Sequence, residues 1–102
     1  MATLEHAFPS DHPATDGHFP GNPIIPGAVL LSETLRLIEA HLGVSILPCR
    51  IRRAKFPHPA RPGDRIAIEF TGSCRDSIRF ECAGMGNTVL VGEVECRDNS
   101  AV

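Results

Sequence analysis

Residues 27–42 carry apolar side chains at helical spacing, and the pattern changes to the alternation of β-strands from residue 46 onward. Pro26 suits the first position of this helix, and Gly43 suits the position just past its end. The chain therefore offers one long helix to cover a sheet, which predicts an α+β fold. The predicted buried stripe of the helix consists of Ala28, Leu31, Leu35, Ile38 and Leu42.

The second half of the chain is predicted to form an antiparallel sheet. Its predicted strands are residues 45–56 (irregular at Pro48), 64–72, 76–84 and 88–97. The last three strands are joined by short connections at 72–76 and 84–87 that are rich in Gly, Asp and Asn, which predicts hairpins. We expect the sheet to wrap round the helix.

The composition excludes several classes of function. A chain of 102 residues is predicted to be a single domain, 1–102. At this size folding alone buries only about 65% of the unfolded surface, so an oligomer is expected. Ten Lys and Arg against twelve Asp and Glu give a net charge of −2, which does not favour a nucleic-acid partner. Because Lys55 is the only lysine and Tyr is absent, a Gly-Lys-Ser/Thr phosphate loop and a tyrosine acid are excluded.

The cysteines and the start of the chain predict a cytoplasmic location. Cys49, Cys74, Cys82 and Cys96 form no CxxC pair and no zinc spacing, so we expect reduced, buried thiols. The first residues lack the pattern of a signal peptide, and no apolar run approaches the roughly 20 residues of a membrane span.

A segment dense in proline and glycine, residues 8–27, precedes the helix and carries the strongest chemical signal. It also contains apolar residues and histidines, which predicts an ordered loop rather than a helix or strand. Imidazole titrates near neutral pH and suits a general acid or base. Gly27 starts the helix, so it offers an unpaired N–H and no side chain that would keep a carbonyl away. Together these features predict a site that polarises a carbonyl and moves a proton next to it.

Two stretches resemble a known family. HFPGNPIIPGAVLL, residues 18–31, is similar to the signature loop and helix of the hotdog-fold 3-hydroxyacyl-(acyl-carrier-protein) dehydratases. AKFPHPARPGDRIAIEF, residues 54–70, resembles a strand, loop and strand of that family, with its Pro-Gly-Asp turn. The resemblance covers residues 11–96 and implies a hotdog fold, in which an antiparallel sheet wraps round one long central helix.

The resemblance implies a role for each residue at a matching position. His18 matches the catalytic histidine, the Ile24 carbonyl would orient its imidazole, and the Gly27 N–H would bind the thioester carbonyl. The family places Glu or Asp fourteen residues beyond its histidine, where this chain has Ser32. A serine can hold a water there but cannot replace a carboxylate as proton donor. The implied catalytic residues are thus His18, Gly27 and Ser32, and the implied substrate-binding residues are Phe19, Gly21, Ile24 and Pro26.

The implied activity is dehydration of a 3-hydroxyacyl thioester on an acyl carrier protein to a trans-2-enoyl thioester, in fatty-acid or related lipid or polyketide biosynthesis. The implied assembly is a homodimer or larger homo-oligomer with the active site at the subunit interface. No cofactor is implied, and the six-residue spacing of His6, His12 and His18 fits no usual zinc site. Because Ser32 replaces the acid, a non-catalytic module that binds acyl thioesters or a carrier protein stays open, and a hotdog thioesterase is a further alternative.

A basic cluster lies on the first strand after the helix. Alternation would place Arg50 and Arg52 on one face of the strand, and Arg53 and Lys55 on the other. With the resemblance, the cluster is a candidate docking surface for an acidic carrier protein; a solvated strand face is the alternative.

Glu33 follows Ser32, but one helical residue is a rotation of about 100°. Turning Glu33 into the site would move the apolar stripe off the sheet, at roughly 1.5–3 kcal/mol per side chain. We therefore predict that Ser32 faces His18 and that Glu33 points away. Glu33→Gln should leave dehydratase turnover within about threefold, a barrier change under roughly 1 kcal/mol. A loss of about a hundredfold with the oligomer intact would identify Glu33 as the acid.

Overall fold

The structure, a computed structural model, describes residues 2–7, 24–73 and 75–96. The described residues form one antiparallel sheet with the strand order β1-β3-β4-β5-β2 and one helix packed against it, which confirms the α+β prediction. No helix in these ranges is long and apolar enough to cross a membrane. The elements are β1 (Ala2–Ala7), α1 (Gly27–Leu42), β2 (Cys49–Lys55), β3 (Arg65–Gly72), β4 (Ile78–Gly84) and β5 (Asn87–Cys96).

Helix α1 begins and ends where the sequence predicts. Pro26 is the residue before its first turn rather than the first helical residue, and its carbonyl accepts the N–H groups of Val29 and Leu30, each at 3.0 Å. Gly43 ends the helix with φ 69°, a left-handed conformation that glycine adopts without strain. Its N–H donates to the Glu39 carbonyl at 2.9 Å, which satisfies one of the last carbonyls.

The buried face of α1 differs from the predicted stripe. The prediction is confirmed for Leu35 and Ile38 and wrong for Ala28 and Leu42, which are exposed; Leu31 is partly buried. Thr34 is buried instead, because its hydroxyl donates to the Leu30 carbonyl at 2.8 Å and so needs no water. The buried residues of the helix are Leu30, Thr34, Leu35 and Ile38.

This shift changes the setting of Ser32 and Glu33. At 100° per residue, both lie about 125–135° from the centre of the buried face, on opposite flanks of α1. Both are partly buried. The two side chains therefore face in different directions. That Ser32 faces His18 and Glu33 points away from it stays a prediction, because His18 lies outside the described residues.

The core lies between α1 and the facing side of the sheet. Alternation along β3 and β4 is confirmed: Ile66, Ile68 and Phe70 are buried on one side, and so are Ile78, Phe80 and Cys82. The hairpins are confirmed as well. Met85 and Gly86 between β4 and β5 both have positive φ, as a tight turn matched to the sheet twist requires.

Strand β2 is shorter than the predicted strand 45–56. The backbone N–H groups of Ile46 and Leu47 donate to a carboxylate oxygen of Glu39, at 2.7 and 3.1 Å, so they bond to the helix rather than to the sheet. These two bonds lower the pKa of Glu39. A cis peptide bond between Leu47 and Pro48 follows, and β2 starts at Cys49.

Strand β1 was not predicted. It pairs with β3 from Ala2 opposite Phe70 to Ala7 opposite Arg65. Its residues alternate between partly buried and exposed, with Ala2 and Leu4 packed against the core. The alternation is present in the sequence, but a strand of six residues with Ala2, Leu4 and His6 at its inward positions gives a weak signal.

Candidate functional site

A cavity of about 330 Å³ opens at the N-terminal end of α1, beside the segment that carries the predicted site. Its walls are mostly apolar, as in sites that bind aliphatic chains. It is lined by Ile24, Ile25, Gly27, Leu30, Phe56, His58, Pro59, Ala60 and Val89.

One backbone hydrogen bond fixes the chain where it enters the helix. The Ile25 N–H donates to the Ala60 carbonyl at 2.8 Å, and both residues are almost completely buried. The bond ties residues 24–26 to the loop between β2 and β3. The floor of the cavity is therefore built from two segments that are distant in sequence, which a local motif does not reveal.

Phe56 lies directly against Gly27. A Cβ atom added to Gly27 would stand 3.0–3.2 Å from three atoms of the Phe56 ring, closer than ordinary contact. Phe56 is 44% exposed. The sequence predicts glycine here because a side chain would keep a carbonyl away. Packing gives a second reason, because the missing side chain lets the Phe56 ring lie against the start of the helix.

The Gly27 N–H is available to a ligand. The hydrogen bonds of the first turn start with the N–H groups of Val29 and Leu30, and within the described residues none involves the Gly27 N–H. The helix macrodipole places partial positive charge at this end. An N–H in this position can bind and polarise a carbonyl oxygen in the cavity.

His58 stands in the cavity wall with a defined partner. It is exposed, and its Nδ1 lies 3.1 Å from the Thr88 carbonyl. If Nδ1 donates to that carbonyl, Nε2 is the nitrogen left to face a ligand. His41 is also exposed, and it packs edge-on against Phe70 with ring centres 5.6 Å apart.

Two predicted site residues meet at the cavity: Ile24 and Gly27 both line it. Pro26 is partly buried and shapes the helix start without lining the cavity, and Ser32 is not among the lining residues. His18, Phe19 and Gly21 lie outside the described residues. Phe56, Ala60 and Val89 also line the cavity and are not predicted from the sequence. Phe56 and Ala60 lie inside the stretch 54–70 that resembles the family, but nothing in the local pattern marks them as cavity residues.

The basic cluster is arranged differently from the prediction. A β-bulge between Ile51 and Arg53 inserts one extra residue, Arg52, so that alternation restarts. Arg50, Arg53 and Lys55 therefore share the face turned away from α1, opposite Glu95, Glu93 and Val91 of β5.

Acidic residues of β5 neutralise part of this cluster. Arg52 pairs with Glu95, and Arg53 approaches Glu93 at 3.7 Å. A hydrogen bond from Ser77, assisted by Arg79, lowers the pKa of Glu93. Within the described part of the chain, Arg50 and Lys55 form no ion pair, so no carboxylate neutralises these two cations of the cluster directly. The same ranges contain no group of three His, Cys, Asp or Glu side chains placed to hold a metal.

Comparison with known proteins agrees with the motif. The model of the ApeI-like family, described as ApeI dehydratase, matches residues 1–93. The 3-hydroxyacyl-(acyl-carrier-protein) dehydratase FabZ of Caulobacter sp. strain K31 is 32% identical over 98 residues, 83% of this chain and 59% of that protein. FabZ of Chloroflexus aggregans is 33% identical over 75 residues, 67% of this chain and 52% of that protein. The chain thus spans little more than half the length of these curated relatives.

Solved structures show the same architecture. The dehydratase heterocomplex ApeI:P from Xenorhabdus doucetiae superposes with a TM-score of 0.74 at 18% identity, over 93% of this chain and 86% of that chain. The (R)-hydratase from A. caviae involved in PHA biosynthesis superposes with a TM-score of 0.63 at 18% identity, over 94% and 93%.

The helix, the sheet order and these neighbours define a hotdog protein, which confirms the fold prediction. Within that class, the chain belongs to the ApeI-like dehydratase family.

The contact between Gly27 and Phe56 can be tested with a double-mutant cycle. Gly27→Ala should lower the free energy of unfolding by about 1 kcal/mol, because the new methyl group overlaps the Phe56 ring. In a Phe56→Ala background the overlap is absent, and the same change should be neutral or stabilising, since alanine is the better helix former. Denaturant unfolding of the four proteins measures the coupling. Equal effects of Gly27→Ala in both backgrounds would contradict the contact.

Proposed function

We propose that this chain dehydrates 3-hydroxyacyl thioesters, carried on an acyl carrier protein, to trans-2-enoyl thioesters. The observation that carries the proposal is the apolar cavity at the start of α1, into which the Gly27 backbone opens. An apolar cavity suits an acyl chain, and an unpaired N–H at a helix N-terminus suits the thioester carbonyl. Membership of the ApeI-like dehydratase family supports this reaction over other uses of the same fold.

The chemistry divides between the two ends of the segment from His18 to Gly27. The Gly27 N–H polarises the thioester carbonyl, which acidifies the C2–H bond and stabilises the enolate-like oxygen that develops. His18 takes the C2 proton. The C3–O bond then breaks, and the hydroxyl leaves as water with a proton supplied by His18 or by a water held near Ser32. The C2–C3 double bond forms from the electrons of the broken C2–H bond.

The partner in this proposal is an acyl carrier protein. FabZ relatives are named as acyl-carrier-protein dehydratases, and the chain covers only part of their length. Carrier proteins are acidic, and the exposed Arg50 and Lys55 of β2 offer them a positive surface. Fatty-acid or related lipid synthesis in the cytoplasm is the setting that this substrate implies.

A homodimer completes the proposal, with β2 as the joining edge. β2 is the last strand of the described sheet, so one of its sides has no neighbouring strand among the described residues. Large apolar side chains around it are exposed: Leu42, Val44, Leu47 and Ile51, the last at 50%. Pairing with β2 of a second copy would give hydrogen-bond partners to the backbone groups of the β2 edge. The same contact would cover the apolar patch.

The proposed dimer contact at the β2 edge can be tested by placing a charged side chain in it. Ile51→Glu should shift sedimentation at micromolar concentration from dimer to monomer, because it buries a carboxylate in the proposed interface. Glu69→Gln, on the exposed face of β3 away from that edge, is the matched control and should leave the dimer intact. A wild-type chain that sediments as a folded monomer would contradict the proposed assembly.

A second function is favoured by one residue. Ser32 stands where the family motif has an acid, which supports a module that binds acyl thioesters or a carrier protein without turning them over. The two functions are separated by restoring the acid, since a competent scaffold needs only the missing carboxylate.

The decisive assay uses 3-hydroxyacyl thioesters of several chain lengths on an acyl carrier protein. Wild-type protein should form the enoyl product, and His18→Ala should lose at least about a hundredfold, the usual contribution of a general acid–base group. Ser32→Asp should raise turnover further. Turnover that does not exceed the His18→Ala control would exclude the enzyme. In that case, activity appearing only in Ser32→Asp would support the binding module, and release of free thiol would indicate a thioesterase.

A further inference from the structure

Two cysteines stand directly opposite each other on the last strand pair of the sheet. Cys49 begins β2, Cys96 ends β5, and the antiparallel register makes them Cα partners. Directly opposed residues in antiparallel strands have Cα atoms about 4.5–5.5 Å apart. This separation lies inside the range of about 4.4–6.8 Å found between the Cα atoms of disulfide-bonded cysteines.

Both side chains lie on the same face of the sheet. Val94, two residues before Cys96, is completely buried against the core and pairs with Ile51, two residues after Cys49. Alternation therefore points both cysteines toward the α1 side, where they pack at the margin of the core. The two side chains are thus adjacent and similarly oriented, as a cross-strand disulfide requires.

The pair differs from the other cysteine that the structure describes. Cys82 is completely buried and its Sγ lies 3.5 Å from the Thr34 hydroxyl; burial raises the pKa of this thiol to about 11. Cys49 and Cys96 are thiols that are only partly buried, so the prediction of buried cysteines is confirmed for Cys82 alone among these three. In the single chain the pair is less shielded from reagents in solution than Cys82 is.

We propose that Cys49 and Cys96 form a reversible intramolecular disulfide, with a small-molecule disulfide such as oxidised glutathione as the oxidant. The thiolate of one cysteine attacks a sulfur of glutathione disulfide, and the S–S bond breaks to release one glutathione. The second cysteine then attacks the protein sulfur of this mixed disulfide and releases the second glutathione. Two protein thiols are oxidised, one disulfide is reduced, and the two thiol protons end on the two glutathiones.

The bond would fix the edge strand of the sheet. It joins two positions separated by nearly half of the chain, so it restricts the unfolded chain strongly. It also holds β2 against β5. The other end of β2 is followed directly by Phe56, which lines the cavity. Burial and the nearby Glu39 carboxylate raise the pKa of Cys49, which keeps this thiol protonated and slows indiscriminate oxidation. The proposal does not depend on the enzymatic function.

The test uses the full chain with Cys74→Ser, which removes the remaining cysteine as a competitor. After equilibration with oxidised glutathione and blocking of thiols in denaturant, non-reducing peptide mapping should find a Cys49–Cys96 linked peptide and a single blocked thiol, Cys82. The melting temperature should rise by about 5 °C or more, and dithiothreitol should reverse both changes.

Cys49→Ser and Cys96→Ser are the matched controls. Each should take up one glutathione on the remaining partner and show no comparable rise in melting temperature. The proposal is overturned if the Cys74→Ser chain carries glutathione on both cysteines without a linked peptide, or if the linkage joins two chains. Because the Cys74→Ser chain decides this alone, a control variant that fails to fold does not affect the result.

Discussion

The packing of one helix against one face of the sheet is the interaction on which the rest of the molecule depends. Leu30, Leu35 and Ile38 are 0–3% exposed. At roughly 1.5–3 kcal/mol for each buried side chain, they contribute an amount comparable with the whole stability of a small domain, about 5–15 kcal/mol. The rotation of α1 about its axis is therefore fixed, and so is the direction in which every other residue of the helix points.

The candidate site follows from that fixed helix. Its first turn opens into the cavity, and the bond from Ile25 to Ala60 holds the entering chain against the loop between β2 and β3. Phe56 covers Gly27 on the side where another residue would carry Cβ. The arrangement places the Gly27 N–H, which forms no hydrogen bond within the described residues, in apolar surroundings. There an electrostatic interaction with a carbonyl is stronger than in water.

The sequence was informative where local chemistry decides the structure. The bounds of α1, the hairpins and the alternation of β3 and β4 depend on glycines, prolines and apolar periodicity, and the structure agrees with them. The helix face was misjudged because Thr34 satisfies its hydroxyl within the helix and is buried, which a division into apolar and polar residues does not anticipate. The β-bulge at Arg52 likewise cannot be recognised from the sequence pattern, yet it places Arg50, Arg53 and Lys55 on one face of the strand.

Long-range contacts explain why part of the site could not be predicted from the sequence. Gly27 and Ile24 were found through the motif, whereas Phe56, Ala60 and Val89 reach the cavity from loops and strands far along the chain. Their roles depend on sheet order and on one backbone hydrogen bond. The opposition of Cys49 and Cys96 is of the same kind, because it depends on a register between strands nearly half the chain apart.

The most direct test of the account is the amide resonance of Gly27 during titration with a 3-hydroxyacyl pantetheine amide, in which nitrogen replaces the thioester sulfur. If the helix start binds the acyl carbonyl, the Gly27 amide proton should move downfield in a saturable way. Gly43, at the other end of the same helix with its N–H already bonded to Glu39, should stay in place. A Gly27 amide that does not respond, while resonances elsewhere saturate, would contradict the account.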